Sequence, residues 1–257
     1  MHVKELFDLT GKTAVVTGGG RGIGFEIAEG LAEAGARVAV TGRRRQWLDP
    51  AAEKLRAISG DALSVEADVS EPADVAEIVR RVLERFGGID ILVNNAGISW
   101  GSPSLTHPLD KWQSVLAVNL TGVWLMSQAA APPMIERGGG AIVNVSSITG
   151  QLGLAPELQD TVSYNASKGG VDALTRDLAV KWARHGIRVN AVAPGYFPTR
   201  LTEYLVSTVE ERMKAMSPMQ RLGQEGELKG AVVFLCSRAA SFVTGQVLNV
   251  DGGSTIW

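Results

Sequence analysis

The chain predicts an α/β fold: a doubly wound, seven-stranded parallel sheet with helices on both faces. Three observations carry this. Short β-branched runs alternate with segments of helical spacing along the whole chain, the pattern of βαβ units on a parallel sheet. The short runs are apolar throughout rather than alternating, as required when helices cover both faces. No linker, repeat or composition break interrupts the 257 residues. The reading is therefore a single domain over 1–257, with a cofactor half at about 1–145 and a substrate and catalytic half at about 146–257.

The elements follow in order. Residues 13–17, Thr-Ala-Val-Val-Thr, form a buried strand that stops at glycines. Residues 25–34 place Ile27, Ala28, Leu31 and Ala34 on one helix face. Strands are predicted at 38–40, 62–66, 89–93, 141–145, 187–192 and 247–250. Helices are predicted at about 46–58, from Pro72 to about Phe86, over 109–135, 162–184, 199–217 and 225–236. Pro72 suits a first helical turn, whereas Pro132 and Pro133 predict an early end or a kink in the 109–135 helix.

Composition narrows the function. With 25 basic and 27 acidic residues the net charge is -2, so no basic excess marks a nucleic-acid partner. Cys236 is the single cysteine. That excludes an intramolecular disulfide and fits a reducing compartment. The first residues lack the apolar core of a signal peptide, and no run is read as a membrane span. The expectation is a cytoplasmic protein with no membrane partner and no metal site.

A doubly wound sheet binds ligands beyond the carboxyl ends of its strands, so chemistry belongs just after each one. The first strand runs into Thr17-Gly18-Gly19-Gly20-Arg21-Gly22-Ile23-Gly24 and then a helix. Glycines let the backbone approach a pyrophosphate, and the helix start supplies N–H groups and a positive dipole end. The second strand ends at Gly42-Arg43-Arg44 with no carboxylate. An acidic residue there would bind a ribose 2′-hydroxyl; arginine instead suits a 2′-phosphate. Arg43, with Arg21 from the glycine loop, therefore favours NADP(H), with NAD(H) the alternative. Asp68-Val69 after the third strand flanks the adenine or forms a turn. Asn95-Ala96-Gly97 after the fourth suits a backbone laid against the ribose.

Tyr164 and Lys168 lie four residues apart at the start of the long helix, on one face. An ordinary phenol has a pKa of about 10, and a nearby cation lowers it toward the range useful for proton transfer. Ser147 closes the fifth strand and can hold a substrate oxygen, while the adjacent Ser146 points elsewhere. Asn119 is a poor helix former among apolar neighbours. It reads either as the holder of a proton-relay water or as a buried amide bonded to backbone. Trp100, Leu152, Leu154, Tyr196, Phe197 and Leu201 are candidate pocket walls, and their apolar character favours a 3-oxoacyl or other hydrophobic ketone.

Taken together, Thr17-Gly18-x3-Gly22-x-Gly24, Asn94-Asn95-Ala96-Gly97, Asn119, Ser147, Tyr164-x3-Lys168 and Pro194-Gly195 resemble the short-chain dehydrogenase/reductase family along essentially the whole chain. The resemblance implies a Rossmann-type sheet of order 3-2-1-4-5-6-7 and hydride transfer between a nicotinamide and a small-molecule ketone or alcohol. It implies Tyr164 as general acid or base, Ser147 as oxygen anchor, Lys168 on the nicotinamide ribose and Asn119 in a proton relay. It also implies that 194–199, with Pro194, Gly195, Phe197 and Thr199, contacts the nicotinamide, and that the protein is a homotetramer. The stretches 95–101 and 193–200 are most similar to gluconate 5-dehydrogenase-like and 3-oxoacyl-carrier-protein reductase-like members. The former suggests a polyol or sugar acid as alternative substrate; a non-catalytic nucleotide sensor is the alternative of another class. Ser147 and Tyr164 are 17 residues apart, more than is usual in the family, which predicts an enlarged loop over 151–162 where substrate enters.

Overall fold

Buried β-branched runs organise the molecule. A computed structural model describes residues 2–198 and 203–257. After a short helix α1 (Val3–Leu6), the chain alternates β1 (Thr13–Thr17), α2 (Gly22–Glu33), β2 (Arg37–Gly42), α3 (Arg45–Ser59), β3 (Ala62–Glu66), α4 (Pro72–Phe86) and β4 (Ile91–Asn94). It continues through α5 (Leu109–Leu116), α6 (Gly122–Glu136), β5 (Gly140–Val145), α7 (Val162–Trp182), β6 (Ile187–Pro194), α8 (Glu203–Ala215), α9 (Lys229–Cys236) and β7 (Val247–Val250). All seven strands pair in parallel, in the order β3-β2-β1-β4-β5-β6-β7. The order reverses between β1 and β4, which opens the crevice where a ligand sits.

Because successive strand residues face opposite sides, each strand feeds two cores. Val16, Val93 and Val143 pack toward α2, α3 and α9 with Ile27, Leu31, Leu55 and Val232. Val15, Leu92 and Ile142 pack toward α4, α6 and α7 with Ile78, Met126 and Leu178. Each fully buried aliphatic side chain contributes about 1.5–3 kcal/mol. The strand carboxyl ends are thereby held rigidly beside one another. Cys236, at the end of α9, is buried in the first core, and burial pushes its thiol up to about 12.

Four local details differ from the sequence reading. The fourth strand begins at Ile91 rather than 89, and the last helix begins at Lys229 rather than 225. The 199–217 helix is described from Glu203 to Ala215, so Thr199 and Leu201 lie outside the described residues. The fourth concerns the prolines. Helix α6 does not end at Pro132 and Pro133 but runs through them to Glu136. Their missing N–H groups fall in the final turns, where Ala130, Ala131 and Met134 are buried against the sheet and hold the backbone down. The irregularity lies upstream instead, in a π turn at Ala117–Thr121 between α5 and α6. By length and mean hydropathy the combined run Leu109–Glu136 also passes for a membrane span. Its Val115, Val123, Met126 and Met134 are buried inside the fold.

Candidate active site

A cavity of about 830 Å³ lies at the carboxyl ends of the strands. Its walls come from the turn after β1, the ends of β2 and β3, the loop after β4, the end of β5, the start of α7 and the exit of β6.

The first wall is built from backbone. Gly18 and Gly22 have φ of +65° and +54°, a left-handed conformation that glycine adopts without a side-chain clash. A Cβ on Gly24 would sit 2.3 Å from both Asn95 Nδ2 and the Gly18 carbonyl oxygen. No side chain caps the start of α2, so its first-turn N–H groups face the cavity with the positive end of the helix dipole. Asn95 stitches the two turns at the switch point: its Nδ2 donates to the Thr17 carbonyl at 2.9 Å and the Gly18 carbonyl at 3.2 Å. Thr17 Oγ1 accepts from the amides of Asn95 and Ala96 at 2.9 and 3.0 Å. The result is a side-chain-free cradle that a dinucleotide pyrophosphate fits.

Arg21, Gly22, Ile23, Arg43, Arg44, Asp68, Val69, Ala96 and Gly97 line the same cavity. Arg43 Nη1 lies 3.6 Å from Asp68 Oδ2. Asp68 also accepts from the Ser70 amide and hydroxyl at 3.0 and 2.7 Å, so the turn reading and the cavity reading both apply. Burial alone would raise its carboxyl. The two Ser70 hydrogen bonds and Arg43 outweigh that and hold it below the usual carboxylate range. It is the one carboxylate on the wall among the described residues.

The reactive groups meet at the other end. Tyr164 and Ser147 line the cavity together, and Ser147 Oγ accepts from the Thr149 amide and hydroxyl at 3.2 and 3.1 Å. Ser146 turns the other way, its hydroxyl donating to the Lys168 carbonyl at 3.3 Å. Lys168 is buried, with Nζ 5.5 Å from the Tyr164 ring centre and donating to the Val145 carbonyl at 2.7 Å.

The electrostatics correct one expectation. Tyr164 is raised, not lowered: burial penalises the phenolate more than the Ser147 hydroxyl favours it. Lys168 is itself depressed to about 8 by burial, against the pull of the Asp172 charge. Without a bound cofactor the pair is therefore a neutral phenol beside an easily discharged ammonium.

Asn119 sits in the π turn, fully buried, and its amide is committed to its neighbours. Oδ1 accepts from the Ile98 amide at 2.9 Å; Nδ2 donates to the Ile98 carbonyl at 2.9 Å and to Ser167 Oγ at 3.1 Å. The backbone-bonded reading describes it. Asn119 thus fixes the loop leaving β4 against the helix that carries Tyr164.

Pro194, Gly195, Tyr196 and Phe197 line the cavity, but Trp100, Leu152 and Leu154 do not. Trp100 is 43% exposed with Lys111 Nζ over its ring, and Leu152 packs on Ile148, Tyr196 and Met213. In their place are residues that sequence reasoning missed: Trp47, Thr149 and Gln159. Gln159, in the enlarged loop, is buried; its Oε1 accepts from the Tyr196 hydroxyl at 3.2 Å and its Nε2 donates to Thr161 Oγ1 at 2.8 Å. No periodicity marks a glutamine in an irregular loop, so only the loop's unusual length pointed to it.

A glycine cradle at a switch point, joined to a Ser, Tyr and Lys cluster, defines the class: a nicotinamide-dependent oxidoreductase acting between an alcohol and a carbonyl. Comparison with known proteins agrees. A family model described as enoyl-(acyl carrier protein) reductase matches residues 18–255. A short-chain type dehydrogenase/reductase from Mycobacterium marinum superposes with a TM-score of 0.95 at 40% identity, covering 100% of both chains. The gluconate 5-dehydrogenase of Gluconobacter oxydans (strain 621H) is 43% identical over 100% of this chain and 99% of its own. A crystal structure of a gluconate 5-dehydrogenase from Burkholderia cenocepacia J2315 in complex with NADP and tartrate is 41% identical, with a TM-score of 0.93 over 99% of both chains. The chain belongs to the short-chain dehydrogenase/reductase family, and its substrate is a small molecule.

Proposed function

We propose that this chain is an NADP(H)-preferring dehydrogenase/reductase of a polyhydroxylated acid or polyol, with Tyr164 as the group that gives or takes the proton. The carrying observation is the meeting of Ser147, Tyr164 and Lys168 at one end of a cavity, with Lys168 Nζ 5.5 Å from the Tyr164 ring centre and with Thr149, Gln159 and Tyr196 among its described polar lining. The hydrophobic-ketone expectation drew on six residues: Tyr196 and Phe197 line the cavity, Trp100, Leu152 and Leu154 stand off it, and Leu201 lies outside the described residues. The two gluconate 5-dehydrogenase relatives favour the sugar-acid alternative. Gln159 has two donors and two acceptor lone pairs, and its described bonds use one of each. A substrate hydroxyl can take the rest.

A bound nicotinamide supplies or accepts the hydride. In reduction, Tyr164 and Ser147 both hydrogen-bond the carbonyl oxygen and stabilise the charge that develops there. Tyr164 then transfers its phenolic proton to that oxygen. Its raised pKa keeps the proton in place through neutral pH, and the Lys168 ammonium lowers the cost of the phenolate left behind. In oxidation Tyr164 must begin as the base, so alkaline pH favours that direction. Lys168 is charged below about pH 8 and neutral above it, so reduction should weaken as pH rises through that value. Lys168 would also hold the ribose hydroxyls of a bound cofactor, and Asn119 acts by positioning.

The cofactor preference rests on Gly42, Arg43, Arg44 and Arg21 at the end of β2 and in the glycine turn, with no carboxylate at that strand end. NAD(H) remains the alternative. We read the chain as a single cytoplasmic domain from its composition, and as a homotetramer from its family resemblance. One experiment tests the reading. Aldonic acids, polyols, 3-oxoacyl thioesters and apolar ketones are assayed with both cofactors at pH 7 and 9, following nicotinamide absorbance. Turnover of keto-aldonates with NADPH, stronger at pH 7 than at 9, is expected. Activity confined to apolar ketones or acyl thioesters would overturn the substrate assignment, and a preference for NADH the cofactor assignment.

A further inference from the structure

Trp47 stands in the first turn of α3, one of the residues lining the cavity with Arg21, Arg43 and Arg44. The Arg21 guanidinium carbon lies 5.1 Å from the centre of its ring. Trp47 is 38% exposed, yet the base of its side chain is fixed. A Cβ on Gly20 would come within 3.2 Å of Trp47 Cβ and of its carbonyl carbon, so the glycine turn packs directly on this turn of helix. The arrangement joins the glycine turn to the start of α3 on the cavity wall.

We propose that Trp47 is the platform that holds Arg21 in place for the 2′-phosphate of NADP, and so sets the strength of the cofactor preference; this rests on the NADP reading above. The physical reason is the division of labour in a guanidinium. Its face stacks on an aromatic ring while its N–H edge makes charged hydrogen bonds to phosphate oxygens. The indole face is electron-rich and attracts a cation, not an anion, so Trp47 serves the phosphate only through Arg21. Stacking on the ring removes part of the rotamer freedom that the long arginine side chain would otherwise lose on binding. For a 2′-hydroxyl no such order is needed. Trp47 is therefore a positioning residue for cofactor selectivity.

The test compares Trp47→Leu and Trp47→Phe with the unaltered holoenzyme, reading kcat/KM for NADP and for NAD. Removing the ring should lower the NADP-to-NAD ratio by about three- to fivefold, the size of one exposed cation–π contact. Trp47→Phe, which keeps a ring, should hold the ratio within about twofold. In an Arg21→Ala background, Trp47→Leu should have almost no further effect on it. Titration of folded, unaltered protein with 2′,5′-ADP should change tryptophan emission, and Trp47→Phe should remove that change; this arm stands even if the leucine variant folds poorly. A ratio unchanged in Trp47→Leu, or equally reduced with Arg21 absent, would overturn the platform while leaving the NADP reading intact. An unaltered enzyme that prefers NAD would overturn the NADP reading and the platform with it.

Discussion

The glycine turn of the ligand-facing rim before residue 145 is shaped by backbone, with Arg21, Arg43, Arg44 and Trp47 at its outer edge, and the rim after it is shaped by side chains. In the first half, Gly18, Gly22 and Gly24 clear a surface on which Thr17 and Asn95 pin two turns together. In the second half, Ser147, Gln159, Tyr164, Lys168 and Tyr196 converge as functional groups, two of them linked across an irregular loop and a strand end. A backbone surface recognises what every dinucleotide shares. A side-chain surface distinguishes one carbonyl from another. Common chemistry and particular substrate are therefore divided along the chain, with Tyr164 and Lys168 as the seam.

Three substitutions break or sharpen that contrast. The largest effect falls on the seam. Tyr164→Phe should reduce kcat by about 10²–10⁴-fold, the size of a positioned general acid, while cofactor affinity by fluorescence titration stays near its original value; substantial residual turnover would assign the proton to another group. Next comes the backbone side. Gly24→Ala forces a methyl against the Gly18 carbonyl and the Asn95 amide and should destabilise the fold by about 1–3 kcal/mol. It should also weaken both cofactors together, seen as a lower Tm and raised KM values for NADP and NAD alike; a shift for one cofactor alone would contradict a purely geometric cradle. The smallest effect belongs to the side-chain side. Gln159→Leu should lower kcat/KM for a polyhydroxylated substrate by about tenfold, one buried hydrogen bond lost. A small ketone without hydroxyls should hardly respond, so equal losses on both would mark Gln159 as structural.

The same division explains what could be read from the amino-acid string. The cradle was legible because glycine at Gly18 and Gly24 has a backbone reason that needs no neighbours to be known. The Tyr164–Lys168 pair was legible because helical spacing alone places both on one face. The wall was not. Trp100 and Leu152 are apolar residues at plausible places, but Trp100 lies outward beneath Lys111 and Leu152 packs into a small satellite core. Gln159 reaches the cavity only through the path of an irregular loop, which no period encodes. The phenol's pKa failed for a related reason: spacing reports the cation but not the depth of burial, and burial wins. Asn119 stood out as a poor helix former, and the π turn in which it sits was not read from the sequence. Pro132 and Pro133, the stronger breakers by rule, were overridden by the packing around Met134.

The buried position of Cys236 has a practical use. With its thiol held at about 12, it stays protonated and shielded at any pH where the enzyme is handled, and only thiolates react readily. A cysteine introduced on the exposed part of the 151–162 loop would thus be the sole target for a maleimide dye. Movements of that loop during turnover can be followed by fluorescence without first removing a native sulfur.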